Sequence, residues 1–128
     1  MFLDTSAFIE IFQSPEGSAR FNKIVSSIGE EEVYISIVQL AEVADWGIRN
    51  KVSVLDRVAL VKEMARVVPL NEQIYLNAAT IKSQRRNAGH NDFALIEGII
   101  LASARSMNQR LLTFDKDFAG EADCVVIS

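Results

Sequence analysis

The chain holds one cysteine, Cys124, and one histidine, His90, in 128 residues. One cysteine excludes an intramolecular disulfide framework and a cysteine-rich zinc centre. One histidine excludes a histidine-dominated metal site and a His–His acid–base pair within the chain. Proline occurs twice, at Pro15 and Pro69, and no Pro/Gly-rich linker, repeat or low-complexity tract divides the sequence. A single domain over residues 1–128 is therefore expected. Long hydrophobic runs are also missing. The longest, Phe93 to Ala104, is broken by Glu97 and Gly98 and is too short to cross a bilayer. Met1-Phe2-Leu3-Asp4 has neither the basic nor the long apolar region of a secretory signal. These absences point to a reducing compartment, most simply the cytoplasm, and to no membrane partner. An excess of positive charge is lacking too: 13 Lys+Arg against 17 Asp+Glu give a net charge of −4. That excludes a polybasic binder acting through bulk charge, but not an enzyme that holds a polyanion briefly and lets it go.

Hydrophobic residues make up 49% of the chain, which argues against disorder. A domain of this size buries roughly two-thirds of its unfolded surface. Met1 to Leu3 is a short apolar run closed by Asp4 and predicts a buried strand. Thr5 to Phe12 has helical spacing. Ser14-Pro15-Glu16 looks like an N-cap, first-turn proline and first-turn acid, so a second helix is expected from there to about Ile28. Val33-Tyr34-Ile35-Ser36 predicts a second strand. Helices are expected over Ile37–Arg49 and over Ser53–Arg66, the latter capped by Ser53. Val67 to Leu70 is a short extended piece whose proline suits an edge strand. Helices over Glu72–Asn87, closed by Gly89, and over Asp92–Met107 follow. The last elements are a strand at Arg110–Thr113, a helical turn at Asp115–Phe118 and a strand at Cys124–Ile127. Strands alternating with helices imply an α/β fold with a parallel sheet covered on both faces.

Function in such sheets gathers at the carboxyl ends of the strands. Asp4 follows the first strand, Glu42 lies in the helix after the second, and Asp115 follows Leu111-Leu112-Thr113-Phe114. Glu97 stands within the apolar helix among Phe93, Ala94, Ile100 and Leu101, where a carboxylate needs a cation, a proton or a wet cleft. Each acid also has an ordinary structural reading. Asp4 suits a turn or cap, Glu42 a helix surface, Glu97 a helix edge and Asp115 a cap for the following turn. If the four converge, they raise one another's pKa, and a hard divalent cation removes the conflict. Carboxylates without histidine or cysteine favour Mg²⁺ or Mn²⁺, ions suited to phosphodiester hydrolysis.

Four segments in order carry a family resemblance. They are Phe2-Leu3-Asp4-Thr5-Ser6; Ile35-Ser36 with Leu40-Ala41-Glu42-Val43; Ile99-Ile100-Leu101-Ala102-Ser103-Ala104; and Leu111-Leu112-Thr113-Phe114-Asp115-Lys116-Asp117-Phe118. Together they resemble the PIN-domain ribonucleases, including the VapC-type toxins of toxin–antitoxin pairs, over almost the whole chain. The resemblance implies a three-layer α/β/α sandwich around a parallel sheet of four to five strands. It implies Mg²⁺- or Mn²⁺-dependent cleavage of single-stranded or looped RNA, with Asp4, Glu42, Glu97 and Asp115 as catalytic and metal-holding acids. Asp117 would be a supporting ligand or outer acid, or else a solvated turn residue. Thr5, Ser6 and Thr113 would hydrogen-bond carboxylates or phosphate, or serve as caps and strand-end hydroxyls. The family usually has aspartate where this chain has Glu97. The extra methylene moves the carboxylate by roughly 1.5 Å, which implies altered metal geometry, reduced activity or a preference for Mn²⁺. Asp92, about 140° from Glu97 on a helix, reads better as a cap.

The resemblance also implies a homodimer and, for toxin members, an antitoxin segment near the site. The helices carrying Val43, Trp46 and Ile48, or Val54, Val58 and Val61, have apolar content for either role, with core packing the default. Phosphate contacts could come from Lys82, Arg85 and Arg86, from Arg49 and Lys51, or from Lys116; the Lys82–Arg86 cluster better suits a helix C-terminus. Three rival readings remain. A receiver-like signalling domain would need an acid pair after the first strand and an aspartate after a central one. A haloacid-dehalogenase-type phosphatase would open with a motif like Asp115-Lys116-Asp117. A PIN-fold RNA-binding or scaffold protein would have a weakened site.

Overall fold

The computed structural model describes residues 1–128. Five short strands form one sheet: β1 (Phe2–Leu3), β2 (Tyr34–Ser36), β3 (Arg66–Val68), β4 (Leu111–Thr113) and β5 (Cys124–Val126). The order across the sheet is β3-β2-β1-β4-β5, and every pairing is parallel. Six helices surround it: α1 (Thr5–Gln13), α2 (Ala19–Ile28), α3 (Ile37–Arg49), α4 (Val54–Met64), α5 (Glu72–Asn87) and α6 (Leu95–Ser106). The α/β/α sandwich inferred from the sequence is therefore present, with five strands. No helix is long and apolar enough to cross a membrane.

The sheet sorts its side chains by the two-residue period of the strand. Phe2, Leu111 and Val68 join Ile74, Ala78, Phe93, Ile100 and Leu101 in a core under α5 and α6. Leu3, Leu112 and Ile35 join Ala7, Phe8, Ile24, Val43 and Val61 in a second core under α1 to α4. Gly98 lets α6 lie close on α5: a Cβ there would meet the Ala78 carbonyl oxygen at 2.5 Å.

This topology positions the site. The chain runs from β1 outward through β2 to β3, then returns through α5 and α6 to lay β4 on the other side of β1. Successive crossovers leave β1 and β4 in opposite directions, which opens a crevice at their carboxyl ends. The connection from β4 to β5 contains no α-helix, only a 3₁₀ turn at Lys116–Phe118.

The helix expected over Ser53–Arg66 ends at Met64, and strand ends shift by a residue; three further boundaries differ from those expected. Ser14-Pro15-Glu16 does not start α2. Ser14 is the C-cap of α1, and α2 begins after Ser18, whose hydroxyl accepts from the Phe21 N–H. The third strand is Arg66–Val68 rather than Val67–Leu70, although it is the edge strand that Pro69 suggested. The sixth helix starts at Leu95, so Asp92 is not its cap. Phe93 is instead drawn into the core against Phe118, with ring centroids 5.4 Å apart, and its carbonyl accepts from Arg86 Nε at 2.9 Å. Glu97 thus lies in the first turn of α6 rather than mid-helix.

Candidate active site

Asp4 leaves β1 at its carboxyl end and is buried, with 6% of its surface exposed. Two hydroxyls hold it. Ser6 Oγ donates to Asp4 Oδ2 at 2.6 Å, and Thr113 Oγ1 donates to the same oxygen at 2.8 Å. Each hydroxyl also accepts an amide from the segment after β4: Phe114 N–H reaches Ser6 at 3.0 Å and Asp115 N–H reaches Thr113 at 2.9 Å. The end of β1 is thereby clamped to the end of β4.

The same logic joins β1 to β2. Gln39 is fully buried in the first turn of α3. Its Nε2 donates to the Leu3 carbonyl at 2.8 Å and to Thr5 Oγ1 at 3.2 Å, while its Oε1 accepts from the Ser36 N–H at 2.8 Å. Thr5 Oγ1 in turn donates to Glu42 Oε1 at 2.6 Å. Thr5, Ser6 and Thr113 all hydrogen-bond carboxylates, as the sequence suggested. Gln39 was not foreseen; its signal was an amide inside the apolar run Ile37-Val38-Gln39-Leu40.

The third wall comes from α6 and the turn after β4. Glu97 Oε2 accepts from the Ala94 N–H at 2.6 Å, across the first turn of α6. The Asp115 side chain accepts the Asp117 N–H at 2.8 Å and so caps the 3₁₀ turn. Glu97, Asp115 and Asp117 each offer a carboxylate oxygen within 4.8 Å of the others. The capping reading of Asp115 and its place in an acid cluster both hold in one geometry.

Electrostatics links these groups. Burial pushes the Asp4 carboxyl above its ordinary value; the Ser6 and Thr113 hydroxyls oppose this, and the Asp115 charge adds to it. Burial also raises Glu42, with Thr5 opposing and the charges of Asp4 and Asp45 adding. Glu97 is pushed up to about 8, first by burial and then by its hydrogen bond with Asp115, with the charges of Asp115 and Asp117 adding. No lysine or arginine forms an ion pair with Asp4, Glu42, Glu97 or Asp115. Asp117 has only His90, with Nδ1 at 3.8 Å. An all-oxygen, uncompensated acid cluster fits a hard divalent cation, whose charge would offset both the burial and the mutual repulsion that raise these values.

A cavity of about 290 Å³ adjoins Thr5 and Glu42 and is walled by Ile9, Val38, Arg49 and Ile96. Arg49 stands at its rim, bonded to Asp45 at 3.1 Å. Trp46 is buried against Phe12, with ring centroids 5.7 Å apart. Within the Lys82–Arg86 cluster, Arg85 is buried, while Arg86 is exposed and donates only its Nε–H to the Phe93 carbonyl.

The sequence matches the family model for the PIN domain over residues 1–122. The chain is a PIN-domain protein. Solved structures share the fold. A toxin–antitoxin complex from Klebsiella pneumoniae aligns with a TM-score of 0.77 at 20% identity, covering 98% of this chain and 95% of that one. VapBC2 from Rickettsia felis, bound to a DNA fragment from its promoter, gives 0.71 at 12% identity, with 98% and 96% covered. Mycobacterium tuberculosis VapC20, a toxin that cleaves the sarcin–ricin loop, gives 0.70 at 19% identity, with 94% of each chain covered. No curated protein sequence matches. The PIN assignment displaces the receiver-like and phosphatase readings, and the fold agrees. Receiver sheets run 2-1-3-4-5, whereas this one runs 3-2-1-4-5, and Asp115-Lys116-Asp117 follows the fourth strand rather than the first.

Proposed function

We propose that this PIN domain, taken as one unit over residues 1–128, is an endoribonuclease that hydrolyses phosphodiester bonds of single-stranded or looped RNA with Mg²⁺ or Mn²⁺. The observation that supports this reading is the cluster of Glu97, Asp115 and Asp117, whose carboxylate oxygens lie within 4.8 Å of one another, with the charge of Asp115 acting on Asp4 and that of Asp4 on Glu42, and with no lysine or arginine paired to any of the five. Asp4, Glu42, Glu97 and Asp115 would hold the ion, with Asp117 as a supporting ligand. When bound, such an ion supplies positive charge against phosphate oxygens and makes water a better nucleophile. The rest of the work falls to the protein. Ser6 and Thr113 fix the orientation of Asp4, Thr5 fixes that of Glu42, and the Ala94 amide fixes that of Glu97. Fixed carboxylates spare the reaction the cost of ordering them.

The partners of the structural neighbours support a role as the toxin of a toxin–antitoxin pair, with an antitoxin protein as partner. A cytoplasmic homodimer is part of the same proposal; exposed Ile48 and Leu55 on α3 and α4 offer apolar surface for it. Purified protein with Mn²⁺ or Mg²⁺ is expected to cleave RNA, and Asp4→Asn is expected to abolish cleavage. Equal, EDTA-insensitive cleavage by both proteins would reject the reading. RNA binding without cleavage would select the weakened-site alternative that the glutamate at position 97 raises.

A further inference from the structure

Arg85 is the one arginine of the chain that is buried, with 6% of its surface exposed. It reaches from the end of α5 to the turn between β4 and β5. Its Nη2 donates to the Asp117 carbonyl at 2.5 Å and to the Ala119 carbonyl at 2.7 Å. Nε also donates to the Asp117 carbonyl, at 3.2 Å, and Nη1 pairs with Glu121 at 3.2 Å. The guanidinium lies over the Phe93 ring, 5.9 Å from its centroid, and Phe93 in turn meets Phe118 of the same turn edge to face. The opposite side of Asp117 is held as well, because its N–H donates to the Asp115 side chain. The backbone of Asp117 is thus gripped at both its N–H and its C=O, and its carboxylate is left to face Glu97 and Asp115.

The absence of an α-helix between β4 and β5 gives this grip its importance. Elsewhere in the site a helix start or a strand end sets the direction of the acid. Here a planar fork bridging two carbonyls does so, a geometry that a lysine ammonium does not reproduce. We propose that Arg85 is a positioning residue for the acid cluster: by holding the Asp117 and Ala119 carbonyls, it sets the Asp117 carboxylate where a divalent cation shared with Glu97 and Asp115 can use it. This rests on the proposed metal site and names a residue outside the acids themselves.

The test reads Mn²⁺ binding directly, from loss of the free-ion electron paramagnetic resonance signal, alongside urea unfolding of each protein. Arg85→Lys and Arg85→Gln are expected to weaken Mn²⁺ binding about 10–100-fold, the range for partners that orient metal ligands. Glu121→Ala removes the ion pair of Arg85 but leaves both carbonyl bonds. It is expected to lower stability while keeping Mn²⁺ affinity within about twofold of wild type, which separates positioning from stability. Wild-type affinity in the Arg85 variants would overturn the inference. So would a loss of affinity in Glu121→Ala as large as theirs. Wild-type protein needs no substitution for a second readout: the Arg85 Nε–H resonance is expected to shift along the Mg²⁺ saturation curve, and a fixed resonance would also overturn the inference. Failure of the metal site itself looks different, since wild type would then bind Mn²⁺ no better than Asp4→Asn.

Discussion

Thr113→Val tests the clamp between β1 and β4. Thr113 is fully buried. Its hydroxyl donates to Asp4 Oδ2 at 2.8 Å and accepts the Asp115 N–H at 2.9 Å. Valine keeps the shape and removes both bonds. A hydrogen bond to a charged group contributes about 1.5–3 kcal/mol, and a buried amide left unpaired costs about 1–3 kcal/mol. The two losses share one site and are not fully additive, so a destabilisation of about 2–5 kcal/mol is expected, a large part of a typical stability of roughly 5–15 kcal/mol. Thr113→Ser keeps the hydroxyl and loses one methyl, worth about 1 kcal/mol with its small cavity. Urea unfolding in EDTA gives both values, with an unchanged slope as the sign that the same surface unfolds. If valine is no more destabilising than serine, the hydroxyl relay contributes nothing and the clamp argument is wrong.

Gly98→Ala sets helix propensity against sterics. Alanine favours the helix by about 1 kcal/mol, but its Cβ would lie 2.5 Å from the Ala78 carbonyl oxygen, backbone that does not swing aside. Overpacking of about 1–3 kcal/mol is expected to win, so a variant more stable than wild type would refute the close α5–α6 contact. Asp123 is held below its ordinary value by the Arg105 hydrogen bond, against opposing burial. Its contribution is present above the usual carboxylate range and is lost as pH falls through the depressed folded value. Because the pair is about a third exposed, Asp123→Asn is expected to cost at most about 1 kcal/mol near neutrality and nothing at low pH, as followed by thermal melts across that range. Saturating Mn²⁺ is expected to raise the melting temperature by several degrees, since about 100 times Kd contributes roughly 2.7 kcal/mol. The same addition to Asp4→Asn is expected to give a much smaller rise, and equal rises would point to binding elsewhere.

Much of this molecule was legible in its sequence where one residue decides the local structure. Helices α3 and α5 have the expected bounds, and Ser53 does cap α4, accepting from the Asp56 N–H. The carboxyl ends of β1 and β4 were readable because Asp4 and Asp115 directly follow short apolar runs. The start of α2 was misread because Ser14-Pro15-Glu16 and Ser18 are both credible helix starts, and only the tertiary path chooses between them. The start of α6 was misread because Phe93 belongs to the core and not to the helix. Alanine at position 94 offers no side-chain oxygen, so the usual capping signal is missing there and only the Glu97 carboxylate caps, on the Ala94 N–H. Glu97 as a capping residue and Arg85 as a tether depend on contacts across α6 or between distant segments. Arg85 was read only as a phosphate contact or as charge at a helix C-terminus, because no sequence pattern announces the carbonyls and the Glu121 carboxylate that it meets.

The sheet described above is a partition with a separate compartment on either side. Neighbouring positions on one strand, such as Leu111 and Leu112, open onto different rooms. Trimming the first loosens the α5–α6 side, where Glu97 is seated, and trimming the second loosens the α1–α4 side, which seats Glu42. The side-chain methyl resonances of such a pair would therefore report on the two halves of the molecule separately from a single strand.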